Sequence, residues 1–414
     1  MLSHPRLKKT DAPVFKALSG EEKRQEEGLE MIASENYVSQ AVLETLGTVF
    51  TNKYSEGYPG RRYYGGQTFT DEIELLAIDR AKKLFGAEHA NVQPHSGAQA
   101  NLAVYAALLD PGDTVLGMDL SHGGHLTHGH PVTLPAKVYR FVRYKTETDG
   151  TIDYTALEVL AKKEKPKLML AGFSSYTRQI DYEKFTAIAK KVGALSMMDM
   201  AHIAGLVAGK ALPNPVPHFD VVTATTHKSL RGPRGGLILC REELAKAIDK
   251  AVFPGTQGGP HMQVVAAKAV AFGEALRPAF KSYAKQILKN AKTLEESLRK
   301  LGFEIVFGKT ENHMVVVDVV KSHGVTGKVG EELLDEIGIT VNKNVIPDDP
   351  RGPLDPSGLR IGVPALTTRG MKEREVKHIA QCIDAALRSK GNKKELIRLR
   401  NEIKKLCKQF PVYR

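Results

Sequence analysis

Lys228 follows a short apolar run, Asp220-Val-Val-Thr223, through Thr225-Thr226-His227, and precedes Arg231-Gly-Pro-Arg-Gly-Gly236. A lysine at a strand end in a sheltered cleft loses hydration, its pKa falls, and its amine can form a Schiff base with an aldehyde. A single lysine before a basic loop is more often a surface residue, so a partner has to decide. Asp199 is that partner, about 30 residues earlier at the end of another apolar run, Ala194-Leu-Ser-Met-Met-Asp199. A carboxylate on a neighbouring strand end can hold the pyridinium nitrogen of pyridoxal phosphate protonated, and that charge makes the ring an electron sink. Taken alone, Asp199 reads equally well as a helix N-cap. Ser96 and Gly97 lie in a polar turn, Pro94–Asn101, that runs into an apolar helical stretch, Ala100–Leu109. They offer a hydroxyl and backbone N–H groups at a helix N-terminus, where the dipole favours a phosphate. An ordinary serine cap is as good a reading there.

Four histidines crowd into nine residues: His122, His125, His128 and His130. The Gly123-Gly124 pair and Gly129 argue against a helix presenting i, i+4 metal ligands, and no H-E-x-x-H or closing cysteine accompanies them. No metal is therefore assigned, and an imidazole stacked on a flat cofactor ring is the sharper alternative. No G-x-G-x-x-G opens a helix after a strand, and Gly205–Ala211 is one residue short of a P-loop and lacks its Ser/Thr.

The elements that must position these groups read as an α/β protein. Lys167–Phe173, Ala194–Asp199, Asp220–Thr223 and Gly236–Cys240 are apolar runs expected as buried parallel strands. Between the first two, Asp181–Val192 has helical spacing behind a capping aspartate. Such alternation implies a sheet covered on both faces, with ligands bound outside the carboxyl ends of its strands. Met262–Leu301 reads as a long helix broken near Pro278, and His313–Val320 and Ile337–Val341 as short strands of a smaller α+β unit. The expected organisation is an N-terminal arm (1–28), a large cofactor-binding domain (29–275) and a small C-terminal domain with a basic terminal helix (276–414).

Composition narrows the function classes. At 42% hydrophobic and 26% charged residues, 414 residues can bury full cores. Three scattered cysteines without a C-x-x-C exclude a disulfide framework and suit a reducing compartment. Without an apolar signal run or membrane span, a soluble, cytoplasmic protein is expected. The net charge of +12 is concentrated in the tail: Arg388–Arg414 holds ten Lys/Arg against two Asp/Glu. Leu396, Leu399, Ile403, Leu406 and Phe410 recur there at helical spacing, so the bland reading is a packed amphipathic helix with a solvated basic face. A polyanion- or nucleic-acid-binding arm is the weaker alternative.

Nine segments, in order along the chain, carry a resemblance: Glu30–Asn36, Asn52–Gly60, Arg62–Gly66, Val92–Asn101, Leu120–Gly129, Asp199–Val207, Thr225–Gly236, Phe253–Pro260 and Gly358–Gly362. Together they resemble the serine hydroxymethyltransferase family of fold-type-I pyridoxal-phosphate enzymes. The resemblance implies a large domain with a mostly parallel central sheet between helices, and reversible transfer of the serine hydroxymethyl carbon to tetrahydrofolate, giving glycine and 5,10-methylenetetrahydrofolate. It implies that Lys228 carries the cofactor, Asp199 pairs with its ring nitrogen, His125 stacks on the ring, and Ser96 and Gly97 hold the phosphate. His202 and Ser174 would hydrogen-bond the ring oxygen and its surroundings. Arg360 would grip the substrate carboxylate bidentately, helped by Ser34. Glu56 would handle protons at the hydroxymethyl group and the folate, and Tyr64 and His227 join Lys228 and Glu56 as catalytic groups. Tyr54, Gly258 and Gly259 would reach in from a second subunit, so a homodimer with shared sites is implied and a tetramer left open. Tetrahydrofolate would meet Leu120, Gly124, His125, Leu126 and Asn344, near the Gly352-Pro353-Leu354 loop.

Three segments depart from the family's usual pattern. Ser174-Ser-Tyr-Thr-Arg178 replaces Ser-Ala-Tyr-Pro-Arg, His261-Met-Gln263 replaces Leu-Met-His, and Gly352-Pro-Leu-Asp-Pro356 replaces Ser-Pro-Phe-Val-Thr. None touches Lys228, Asp199 or Arg360. A folate-independent aldolase acting on 3-hydroxy amino acids would keep those three without needing Glu56 or the 120–126 loop.

Overall fold

The computed structural model describes residues 4–413. Seven strands build the central sheet: β1 (His89–Asn91), β2 (Thr114–Met118), β3 (Arg140–Tyr144), β4 (Leu168–Gly172), β5 (Leu195–Asp199), β6 (Val221–Thr225) and β7 (Gly236–Cys240). Their spatial order is β1-β7-β6-β5-β4-β2-β3. The strands from β2 to β6 pair in parallel, while β7 runs antiparallel to both of its neighbours. The parallel reading of Gly236–Cys240 is thus corrected. Only residues 226–235 join β6 to β7, and a parallel crossover needs a dozen or more residues. Every residue of β4, β6 and β7 is buried, as expected of strands covered on both faces. The Asp181 carboxylate caps helix Tyr182–Val192 by accepting from Lys184 N–H at 3.0 Å.

A second, antiparallel sheet follows in the order β8-β9-β11-β10, with β8 at Glu304–Ile305, β9 at Met314–Asp318, β10 at Asn342–Asn344 and β11 at Gly358–Gly362. The strand expected over His313–Val320 stops at Asp318, whose side chain caps a short helix, Val319–His323. The strand expected over Ile337–Val341 is shortened to Ile339–Thr340, after Gly338 at φ +79°. That short strand pairs in parallel with Leu29–Glu30, and Gly362 N–H donates to Met31 C=O at 2.7 Å. Residues 29–34 are thereby laid beside the strand that carries Arg360.

The long helix breaks where the sequence places the break, into Met262–Ala275 and Pro278–Lys300, with Pro278 in the first turn, where no N–H is missed. The terminal helix, Lys393–Gln409, buries Leu396, Leu399, Ile403 and Leu406, and Phe410 lies half-buried just past its end. Its basic face is partly engaged by Glu336 on Lys393 and Glu27 on Lys404. One hydrophobic cluster runs from the central sheet (Leu116, Met198, Val222) into the second sheet and this helix (Val316, Ile361, Ile403). Among the described residues no helix is long and apolar enough to cross a membrane.

Candidate active site at the strand ends

Lys228 lies in the turn that leaves β6, and the turn is tied at several points. Thr226 Oγ1 donates to Pro233 C=O, Gly232 N–H donates back to Thr226 C=O, and Ser229 Oγ donates to His202 C=O. Asn36 donates to the carbonyl of Lys228 itself at 3.1 Å. The lysine is 8% exposed. Burial, with Arg360 and Arg234 nearby, lowers its ammonium to about 8 against the opposing pull of Asp199.

Asp199, at the end of β5, is buried and fully satisfied. Its Oδ1 accepts from Ala201 N–H at 3.0 Å, and Oδ2 accepts from Asn101 Nδ2 at 2.9 Å and His128 Nε2 at 3.1 Å. The His128 tautomer is set by its far nitrogen: Nδ1 accepts from His125 N–H at 3.1 Å, so the ring proton sits on Nε2 and points at Asp199. Burial opposes the charge on Asp199, but His128, His125 and Asn101 outweigh it and hold the carboxyl below its ordinary range. His125 accepts at Nδ1 from Thr127 N–H, and burial, then His128, lowers it to about 4. The histidines at 122–128 thus serve different partners, His122 facing Thr146, His125 facing Thr127 and His128 facing Asp199.

Ser96 caps helix Gly97–Leu108, its Oγ accepting from Gln99 N–H, and the helix starts three residues before the expected Ala100. The cradle is too close for side chains. A Cβ at Gly97 would meet Thr225 Cγ2 at 2.5 Å, and one at Gly236 would meet Ser96 C=O at 2.4 Å. Beneath it Lys268, wholly buried on helix Met262–Ala275, donates to three carbonyls: Val92 at 2.6 Å, Gly236 at 2.8 Å and Pro94 at 3.0 Å. Burial lowers it to about 7. Donation to three oxygens nevertheless requires the ammonium, because a neutral amine would turn its lone pair on one of them.

Arg360 projects from β11 into the same region. Its Nε donates to Asn342 Oδ1 at 3.0 Å and Nη1 to Ser174 C=O at 2.8 Å, leaving Nη2 without a hydrogen bond among the described residues. Burial lowers it to about 10. His202 pairs with His313, Nδ1 to Nε2 at 3.2 Å with stacked rings, and burial leads the causes that keep both neutral. Burial also lowers His227 to about 3, and among the described residues its Nδ1 has no hydrogen-bond partner.

A second group gathers elsewhere. Tyr54 and Tyr64 meet edge to face with centroids 5.3 Å apart. The charge of Glu56 raises the Tyr54 phenol, and a Cβ at Gly259 or Gly258 would touch Tyr54 or Glu56. The two tyrosines are 57% and 49% exposed, and among the described residues no hydrogen bond links this group to Lys228, Asp199 or Arg360. Arg62 holds the loop in place, donating to Ser55 and Gly57 carbonyls and pairing with Glu74 at 2.6 Å, where both side chains are almost wholly buried. A third group forms a wall. Asp348 ties the loop that follows Asn344 and carries the Gly352-Pro353-Leu354 tip to Lys145 at 2.8 Å, and it lies 3.8 Å from His122 Nε2, too far for a hydrogen bond. His122 lies in the loop that carries Leu120, Gly124 and Leu126. A Cβ at Gly124 would meet Met118 C=O at 2.2 Å, so that loop admits only glycine there.

Sequence reasoning gave no role to His128, Asn101, His313 or Lys268. A lone lysine inside the apolar run Met262–Phe272 was the available signal for Lys268. Of the departures, Thr177 donates to Lys309 C=O at 2.7 Å, a bond proline could not make, and the His261 ring lies tilted against His95 with centroids 4.2 Å apart. The residues present fit pyridoxal phosphate: a glycine cradle at a helix N-terminus, a buried ionised carboxylate, a stackable imidazole and a desolvated lysine. The profile of a family described as serine hydroxymethyltransferase matches residues 7–383. A serine hydroxymethyltransferase of Acidobacterium capsulatum is 57% identical over 98% of this chain and 95% of its own length. One of Koribacter versatilis is 55% identical over 98% and 96%.

Proposed function

The chain belongs to the serine hydroxymethyltransferase family, and on that premise we propose how its residues divide the work. The protein is a transferase that moves the hydroxymethyl carbon of serine reversibly to tetrahydrofolate, leaving glycine and 5,10-methylenetetrahydrofolate. What supports the assignment of residues most is the convergence of Asp199, at the end of β5, and Arg360, reaching across from β11 to Ser174, on the buried Lys228, whose charge both of them influence.

Pyridoxal phosphate, when bound, supplies an aldehyde for amine attachment and an electron-withdrawing ring. Lys228 would hold it, Ser96 and Gly97 would take its phosphate, His125 would lie on its face, and His202 and Ser174 would bond its ring oxygen. Asp199, kept ionised by three donors, would face its nitrogen. His313 sets the His202 ring and His128 sets Asp199. Arg360 would bind the serine carboxylate with Nη2, its other donors being pinned, and Ser34, on the segment that Gly362 ties to β11, would add a hydrogen bond. That grip orients the Cα–Cβ bond. Glu56 would hold or release the proton at the serine hydroxyl and at the accepting folate nitrogen, with His227 and Tyr64 beside the reacting groups. Folate would lie on the wall formed by the 120–126 and 344–354 loops.

The outward-facing cluster of Tyr54, Glu56, Tyr64, Gly258 and Gly259 supports a homodimer in which this loop completes the partner's site. We read 29–275 as the cofactor-binding domain, 276–414 as the smaller domain and 1–28 as an arm. Three buried free thiols, Cys240, Cys382 and Cys407, suit a reducing cytoplasm. The deciding assay compares serine cleavage with and without tetrahydrofolate. Strong dependence on folate is expected, and undiminished cleavage without it would overturn the reading.

A further inference from the structure

Helix Glu373–Arg388 places His378 and Cys382 four residues apart, on one face. The terminal helix brings Glu402 over the same spot: Glu402 Oε1 is 3.0 Å from His378 Nε2, and Cys382 Sγ is 3.9 Å from that nitrogen. The three ligand atoms lie within 4.8 Å of one another. We propose that His378, Cys382 and Glu402 form a binding site for one zinc-class divalent cation, which bridges the last two helices.

The donor set selects the metal. One sulfur, one imidazole nitrogen and one carboxylate oxygen suit Zn²⁺ or Co²⁺, whereas Mg²⁺ and Ca²⁺ demand oxygen cages. Bond lengths of roughly 2.0–2.3 Å in a tetrahedron put neighbouring ligand atoms about 3.4–3.8 Å apart. The separations of 3.0 and 3.9 Å straddle that range, so small rotamer adjustments close the site. Thiolate and carboxylate together balance the divalent charge, and no further anion is needed. On binding, the Cys382 thiol releases its proton to solvent as the metal–sulfur bond forms. The imidazole proton now shared between His378 and Glu402 moves to Nδ1, which frees Nε2 as a ligand.

Supporting groups are in place. Arg398 Nη1 donates to Glu402 Oε2 at 2.7 Å, which orients the carboxylate and leaves Oε1 facing His378. Cys382 is buried, while the His378 side chain is 38% exposed, so the ion has an entry path and water can take the fourth position. The site shares no residue with the strand-end chemistry.

The test uses the full-length, untagged holoenzyme, stripped with a chelator and titrated with Zn²⁺ by calorimetry and with Co²⁺ by absorbance. One ion per chain with micromolar or tighter affinity is expected, together with a sulfur-to-cobalt charge-transfer band. Cys382→Ser should abolish that band. His378→Gln, at a half-exposed position that threatens folding little, should weaken Zn²⁺ binding by at least about tenfold. Serine cleavage should stay at wild-type rates in both variants. Stoichiometry well below one, or wild-type affinity in His378→Gln, would overturn the site.

Discussion

Replacing Lys228 by methionine should make the apoprotein more stable. The methionine keeps most of the length and volume and removes the ammonium. In the folded chain burial lowers that ammonium from 10.5 to about 8, which corresponds to roughly 3 kcal/mol by which the fold disfavours the charged form. The sign follows from proton counting. Below pH 8 both folded and unfolded chains carry the proton, and the full penalty stands. Between 8 and 10.5 the folded chain releases it while the unfolded chain keeps it, so wild-type stability rises with pH. Asp199 does not depend on Lys228 for its ionisation, since His128, His125 and Asn101 lead the groups that hold it charged. The variant should therefore gain about 3 kcal/mol at pH 7 and only about 1 kcal/mol at pH 9.5. Urea unfolding of both apoproteins at equal concentration, at those two pH values, measures the gap directly. A variant no more stable than wild type at pH 7, or a gap that does not shrink at pH 9.5, would refute the claim that the site strains this lysine.

Arg360→Ala should keep cofactor absorbance while raising the KM for serine by orders of magnitude. Arg360→Lys should rescue it only partly, because one ammonium cannot hold Asn342 and Ser174 and also present a fixed, planar N–H to the substrate; near-normal serine affinity in the alanine variant would count against the role. Glu56→Gln should still bind cofactor and glycine, yet lose roughly 10²-fold or more of folate-dependent serine cleavage, the size of a positioned acid–base group. Turnover within a few-fold of wild type would reduce Glu56 to a loop residue. Arg62→Met should cost about 3–5 kcal/mol in urea unfolding, because it leaves the buried Glu74 carboxylate without its counter-charge, held only by Gln93. Arg62→Met combined with Glu74→Leu should recover most of that loss, and additive losses would argue that the pair is not coupled.

The placement of Lys228 and Asp199 was legible because each follows an apolar run, and the rule about the carboxyl ends of parallel strands then brings the two together. What the sequence could not reveal is pairing across distance. His128 reaches Asp199 over 71 positions and His202 reaches His313 over 111, and nothing local to either histidine encodes that meeting. The edge strand β3, Arg-Phe-Val-Arg-Tyr, alternates charge with apolar residues and has only its last residue buried, so it lacks the continuous run that marked β4 and β5. The antiparallel β7 was legible in principle from the length of its connection, although composition alone made it resemble its parallel neighbours. The Tyr54 to Tyr64 cluster carries large side chains that this fold leaves in water, and no single-chain pattern explains them.

The Lys268 tripod makes the seat proposed for the cofactor's phosphate a property of the folded chain itself. Its three carbonyl partners belong to two segments distant from it in the chain, and the ammonium fastens them before any anion arrives. Ordering of the loop is then settled at folding rather than at binding, so little of the phosphate's binding energy is diverted into arranging its receptor. The same knot constrains inheritance. A Cβ at Gly235 would lie 2.5 Å from Lys268 Cε, and that side chain cannot swing aside without releasing all three carbonyls. Gly235 and Lys268 thus behave as one unit of variation: a side chain at 235 becomes tolerable only in a chain that has already found another way to fasten the loop.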